Sequence, residues 1–211
     1  MLADVSGGSE SPSMARKILS WKASSSEKDI LCWNNLRTLN QRVVDLSEDI
    51  IKALTGCEVS QIGKMAKLFS KSKLDDEGAS WLVTMEGDNG TDSETIKNVG
   101  ALLCQLRGTL METRQNLKLM GELAQIPVEP DEQTALANAT MELPGVVASL
   151  VPGAGGYDAL VVIYVNTTQV RDQICEMWNN YKPLAVCPLA VQFAAYGDGL
   201  KSESETPQYS K

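Results

Sequence analysis

The sequence predicts an α+β domain, a small and mostly antiparallel sheet with helices packed on one face. Three observations predict it. Apolar residues recur at helical spacing through most of the first 140 positions. After Pro144 the texture changes to short runs rich in β-branched residues. The first two of those runs are joined by the turn Pro152-Gly153-Ala154-Gly155-Gly156-Tyr157-Asp158.

Met1 to Val5 reads as the end of a strand, followed by a small-residue loop from Ser6 to Ser13 and a short helix from about Met14 to Ala23. Ser24-Ser25-Ser26-Glu27 is an N-cap region. The helix it opens carries Cys32, Leu36, Leu39, Val43, Leu46, Ile50 and Ala53, gaps of four and three that mark one face, and Gly56 ends it. Val59, Ile62, Met65 and Leu68 mark a further helix. Lys71 to Thr91, rich in Asp, Gly, Ser and Lys, is expected to be an exposed loop. Asp92 or Ser93 then caps the strongest helix, striped by Ile96, Val99, Leu103, Leu106, Leu110, Leu117 and Met120 and ending near Gln125. Pro127 and Pro130 punctuate the turn, and Asp131 to Leu143 makes another helix. Val146–Val151 and Ala159–Val165 are strands, and Thr167 or Thr168 opens a helix through about Asn180. Leu184 to Tyr196 is a strand in which Pro188 demands a bulge or an edge position. Residues 1–197 form the domain and 198–211 a polar tail.

Composition narrows the chemistry. The chain has 211 residues, a net charge of −8 and no histidine. Lack of histidine removes Ser-His-Asp and Cys-His catalysis and His-containing zinc sites within this chain. The acidic balance argues against nucleic acid, whose phosphates demand a basic patch. The five cysteines include no CxxC pair and are read as reduced thiols, which implies a cytoplasmic location. MLADVSGGSE has neither the basic nor the apolar region of a signal peptide. The longest apolar run, Leu184 to Ala195, is broken by Pro188 and too short to span a bilayer, so no membrane is expected. No metal-binding set is expected either.

Three features suit an anionic small molecule. Gly153, Gly155 and Gly156 permit a turn that aims several amides at one point, though a hairpin turn with a bulge is the plainer account of the loop by itself. No Gly-Lys-Ser/Thr follows, so this is not a Walker A loop. Gly7-Gly8-Ser9-Glu10-Ser11-Pro12-Ser13 leads into a helix whose free amides suit an anion, or is an ordinary capping loop. Arg107, Arg114 and Lys118, seven and four residues apart, share one helix face. That face is either a solvated edge or the best anion binder in an acidic chain.

Three segments together resemble the phosphomevalonate kinase family of the GHMP kinase superfamily. Ala3 to Met14 is similar to the family's GGS-S/E-T-P-SM segment. Met120 to Ala124, Ile126 to Pro130 and Gln133-Thr134 are similar to its MGE…IPxEPxxQT segment. Val151 to Ala159 is similar to VPGAGGFDA, its version of the third superfamily motif. They stand in the family's order and run from the first residues to about residue 165.

The resemblance implies a transferase that moves the γ-phosphoryl of MgATP onto (R)-5-phosphomevalonate in isoprenoid and sterol synthesis. It implies a phosphate loop of Gly153, Ala154, Gly155 and Gly156. Ser9, Ser11, Ser13, Arg107, Arg114, Lys118 and Asp158 would be substrate-side residues. It also implies that this chain is the carboxyl-terminal part, lacking the PxxxGLGSS-type nucleotide loop and most of the MgATP site, and therefore inactive alone. The alternative is a non-catalytic metabolite-binding or interaction module derived from such a kinase.

Overall fold

A computed structural model describes residues 1–23, 26–74, 91–153 and 155–189. Expectations that fall on Ser24, Ser25, Ala154, residues 75–90, the end of the last predicted strand and the tail lie outside the described residues. The order is β1 (Leu2–Val5), α1 (Ser11–Ala23), α2 (Glu27–Leu54), α3 (Val59–Phe69), α4 (Thr91–Ala124), α5 (Asp131–Met141), β2 (Val146–Leu150), β3 (Ala159–Tyr164), α6 (Thr168–Asn179) and β4 (Val186–Leu189).

The predicted α+β architecture is what forms. The four described strands make one antiparallel sheet in the order β2-β3-β1-β4. The first strand of the chain is therefore interior, with Ala3 opposite Leu160 on one side and Pro188 on the other. Pro188 lies on edge strand β4, where its missing N–H breaks no interior ladder. Ala3, Val5, Leu160 and Val162 pack with Leu136 and Ala137 of α5 and Val170, Ile174 and Trp178 of α6. Asp4 and Ile163, of opposite strand parity, are exposed. Trp178 is 1% exposed, and its indole N–H donates to Thr140 Oγ1 at 2.9 Å, so burying the ring leaves no orphaned donor.

The helical layer is built on α2 and α4. Leu46, with Val43 and Ile50, packs against Leu106 and Leu110 over Ala148 of β2. Near the other end of the pair the Asn116 side-chain amide donates to the Cys32 carbonyl at 3.1 Å, so the two helices run antiparallel. Ser26 caps α2, and its amide donates to the Asp29 carboxylate at 2.6 Å. That bond holds the Asp29 carboxyl below its usual range.

Some boundaries differ from expectation. α1 begins at Ser11 rather than Met14, because Pro12 lacks only an amide that a first helical turn leaves free. α5 stops at Met141, two residues early. α4 is already helical at Thr91. Leu74 falls in the segment expected to be an exposed loop, yet it is wholly buried against Met65, Phe69, Val99 and Val147. An isolated apolar residue among polar ones carries no periodicity, so its burial follows from where the segment crosses α3 and α4.

Candidate functional site

Three connections meet at one junction: the loop between β1 and α1, the turn between α4 and α5, and the glycine loop between β2 and β3. Backbone hydrogen bonds fix the meeting. The Gly156 amide donates to the Val128 carbonyl at 3.0 Å, and the Val5 amide to the Asp158 carbonyl at 2.9 Å. The Tyr157 amide donates to Ser9 Oγ at 2.7 Å, and the Gln133 side chain to the Tyr157 carbonyl at 2.9 Å.

Glycine is required here for space as well as for conformation. A Cβ on Gly155 would lie 2.3 Å from the Val128 carbonyl oxygen, and one on Gly156 would lie 2.3 Å from Ser9 Oγ. Both have positive φ, +83° and +99°. The loop is thus seated directly on the backbone of Val128 and on Ser9.

Of the loop amides, Gly155, Gly156 and Tyr157 already donate to protein acceptors, the first of them to the Pro152 carbonyl at 3.3 Å. The Asp158 carboxylate accepts from the Ser9 amide and, at 3.3 Å, from the Ser11 hydroxyl. An internal carboxylate therefore sits at the start of α1, where helix amides favour negative charge. Ser13 is half-buried in the first turn of α1. Gly153 is exposed, with open space where its Cβ would be.

The basic residues of α4 do share one face, and that face is turned toward β2 and α5. Arg107 is buried, and its guanidinium donates to the Val147 carbonyl at 3.1 Å. Arg114 grips Glu129 through Nη2 at 2.6 Å and Nε at 3.2 Å to each carboxylate oxygen, and each side chain is only 4% exposed. Asn138 takes a further Arg114 proton at 3.1 Å, and Thr134 donates to Glu129 at 3.1 Å. Lys118 is 38% exposed and pairs with Asp131 at 2.7 Å. Their hydrogen bond holds the Lys118 amine above and the Asp131 carboxyl below its ordinary value.

The structure thus brings Ser9, Ser11, Gly155, Gly156 and Asp158 together, and joins Arg114 to them through Glu129 and Val128. Arg107 stands two turns of α4 away, about 10 Å along the axis. Glu129 and Gln133 have the most connected roles at the junction; both fall in the segment similar to IPxEPxxQT, but their spacing gives no sign of what they hold. Their partners lie 15 and 24 residues away, beyond any local pattern. Two grooves along α2, of about 350 and 520 Å³, are lined by other residues, including Trp33 and Arg37 in one and Arg42 and Glu112 in the other.

Among the described residues no group of three or more Cys, Asp or Glu gathers that could hold a metal ion. No described helix is long and apolar enough to cross a membrane.

No family model matches the chain, and no solved structure matches it. Curated proteins do. The chain is 29% identical over 183 residues to "Phosphomevalonate kinase, peroxisomal" of Arabidopsis thaliana, covering 86% of this chain and 33% of that protein. It is 27% identical over 164 residues to phosphomevalonate kinase of Candida albicans, covering 77% and 30%. The phosphomevalonate kinase of Gibberella zeae is 27% identical over 206 residues, covering 96% and 34%. The chain is thus similar over most of its length to phosphomevalonate kinases and spans about a third of the length of these curated relatives.

Proposed function

We propose that this chain is the carboxyl-terminal part of a phosphomevalonate kinase, an ATP-dependent transferase that adds a second phosphate to (R)-5-phosphomevalonate in isoprenoid and sterol synthesis. The observation that carries the reading is spatial. Three segments far apart in sequence, each resembling a family motif, are bonded to one another at one junction.

In this reading the acceptor's phosphate lies over Gly153 and the first turn of α1, near Ser11 and Ser13. Gly155 and Gly156 shape the loop from behind. Asp158 holds Ser9 and Ser11 in place. Lys118, paired with Asp131, supplies positive charge at the surface, while Arg107 and Arg114 act from beneath. Phosphoryl transfer asks a protein mainly for positioning and charge, which suits a chain without histidine. No step is assigned to Mg²⁺, and among the described residues no group of three or more Cys, Asp or Glu gathers. Five free thiols suit a reducing, cytoplasmic compartment.

The test is calorimetry of the purified 211-residue chain with 5-phosphomevalonate, followed by an ADP-release assay with ATP. Saturable binding without ADP formation is expected. Clear turnover would refute incompleteness, and absence of binding would refute the ligand. A second reading, a non-catalytic interaction module, is favoured by the loop amides already bonded within the protein. Under it, Gly155→Val alters stability alone and removes no ligand binding.

A further inference from the structure

We propose that the buried Arg114–Glu129 pair is a positioning device that sets the glycine loop through Val128. The inference deepens the functional reading above and rests on it for its ligand arm. At 4% exposure each, neither side chain has a surface left to offer a ligand.

Stability alone is a poor reason for such a pair, since apolar side chains of similar volume commonly do as well. What the pair provides is geometry. A guanidinium fork holds a carboxylate in both position and rotation, which a hydrophobic contact does not. Here the fork holds both oxygens of Glu129, and the Thr134 hydroxyl takes one of them as well.

Glu129 directly follows Val128, and the two residues stand between Pro127 and Pro130. Proline restricts its own φ and the conformation of the residue before it, so the short segment has few freedoms left. Clamping Glu129 removes most of those that remain. The Val128 carbonyl is the acceptor for the Gly156 amide, and the Val128 backbone is the surface against which Gly155 has no room for a Cβ. A small rotation of Glu129 therefore moves the seat of the loop. The chain of contact runs from α4 through Arg114, Glu129 and Val128 to Gly155 and Gly156, with Asn138 tying in α5.

Amide hydrogen exchange tests this without any ligand. The first variant is the double replacement Arg114→Met with Glu129→Leu, which keeps the site packed but removes the fork. The second is Arg114→Lys, which keeps the charge. In both, exchange of the Gly156 amide is expected to rise at least tenfold, while that of Val161 in β3 stays within twofold. A parallel titration with 5-phosphomevalonate should then show affinity falling at least tenfold in the double variant. Unchanged Gly156 exchange in a folded double variant overturns the proposal, and so does equal acceleration at Gly156 and Val161, which marks a purely structural pair. If the wild-type chain binds no 5-phosphomevalonate, the functional reading fails instead, and the exchange result still decides this one.

Discussion

Replacing Gly156 with alanine should be among the most damaging single-methyl additions in the molecule. The added Cβ would lie 2.3 Å from Ser9 Oγ and 2.8 Å from Ser9 Cβ, with Met14 Sδ at 3.3 Å. Overpacking of that kind costs about 1–3 kcal/mol. The backbone φ of +99° adds about 1–2 kcal/mol for a residue with a side chain. If Ser9 moves aside, its hydrogen bond from the Tyr157 amide is lost, about 0.5–1.5 kcal/mol more. Reduced freedom of the unfolded chain returns roughly 0.4–1 kcal/mol. The net loss is about 1.5–6 kcal/mol, or a fall in Tm of roughly 3–24 °C for a chain of this size. Urea unfolding followed by circular dichroism measures it, with the slope checked for constancy. Gly153→Ala is the control, because its φ of +67° is positive but its Cβ would meet open space. After the same return from the unfolded chain it should cost about 0–1.5 kcal/mol. Pairing Gly156→Ala with Ser9→Gly should recover part of the loss. If Gly156→Ala is no worse than Gly153→Ala, the loop is not seated on Ser9 and the junction is wrongly drawn.

Other expectations follow from the same contacts. Leu136 is wholly buried between the sheet and α6, so Leu136→Ala should cost about 2–5 kcal/mol in the same unfolding assay. The Asp131 carboxyl is held below its ordinary value by Lys118, so its contribution is present above the unfolded value of ~3.9 and is lost as pH falls through the lower folded value. The Lys118 amine is raised, so its contribution is present below the unfolded value of ~10.4 and is lost as pH rises through the higher folded value. Asp131→Asn should flatten both limbs of a Tm-against-pH curve. Cys187 is exposed, whereas Cys32 is buried and burial pushes its thiol pKa up. A thiol reagent under native conditions should therefore label Cys187 early and Cys32 only after unfolding, as read by peptide mass.

Much of this architecture is legible in the sequence because it is locally encoded. The gaps from Cys32 to Ala53 identify one face of α2, and that face does pack on α4. Pro188 demands a bulge or an edge, and β4 is an edge of the described sheet. Spacing also places Arg107, Arg114 and Lys118 on one face of α4, but periodicity says nothing about which way a polar face turns. Its direction is set by Val147, Glu129 and Asp131, which only the fold brings near. The glycine loop is similar. Its composition announces a turn with free amides, while their acceptors belong to Val128 and Ser9, on separate segments. Leu74 was illegible for the same reason, a lone apolar residue whose pocket is built by distant elements.

The interior position of β1 sets a timetable for synthesis. Leu2 pairs with Val161 and Leu189, so β1 waits for partners made about 160 and 190 residues later. At ribosomal speeds of about 5–20 residues per second, that delay is roughly 8–30 s before even the nearer partner appears. Throughout it, α2 can already nucleate, whereas Leu2 to Val5 presents unpaired amides and carbonyls on both edges. Chaperone engagement during translation should therefore concentrate on β1 and fade once β3 has emerged.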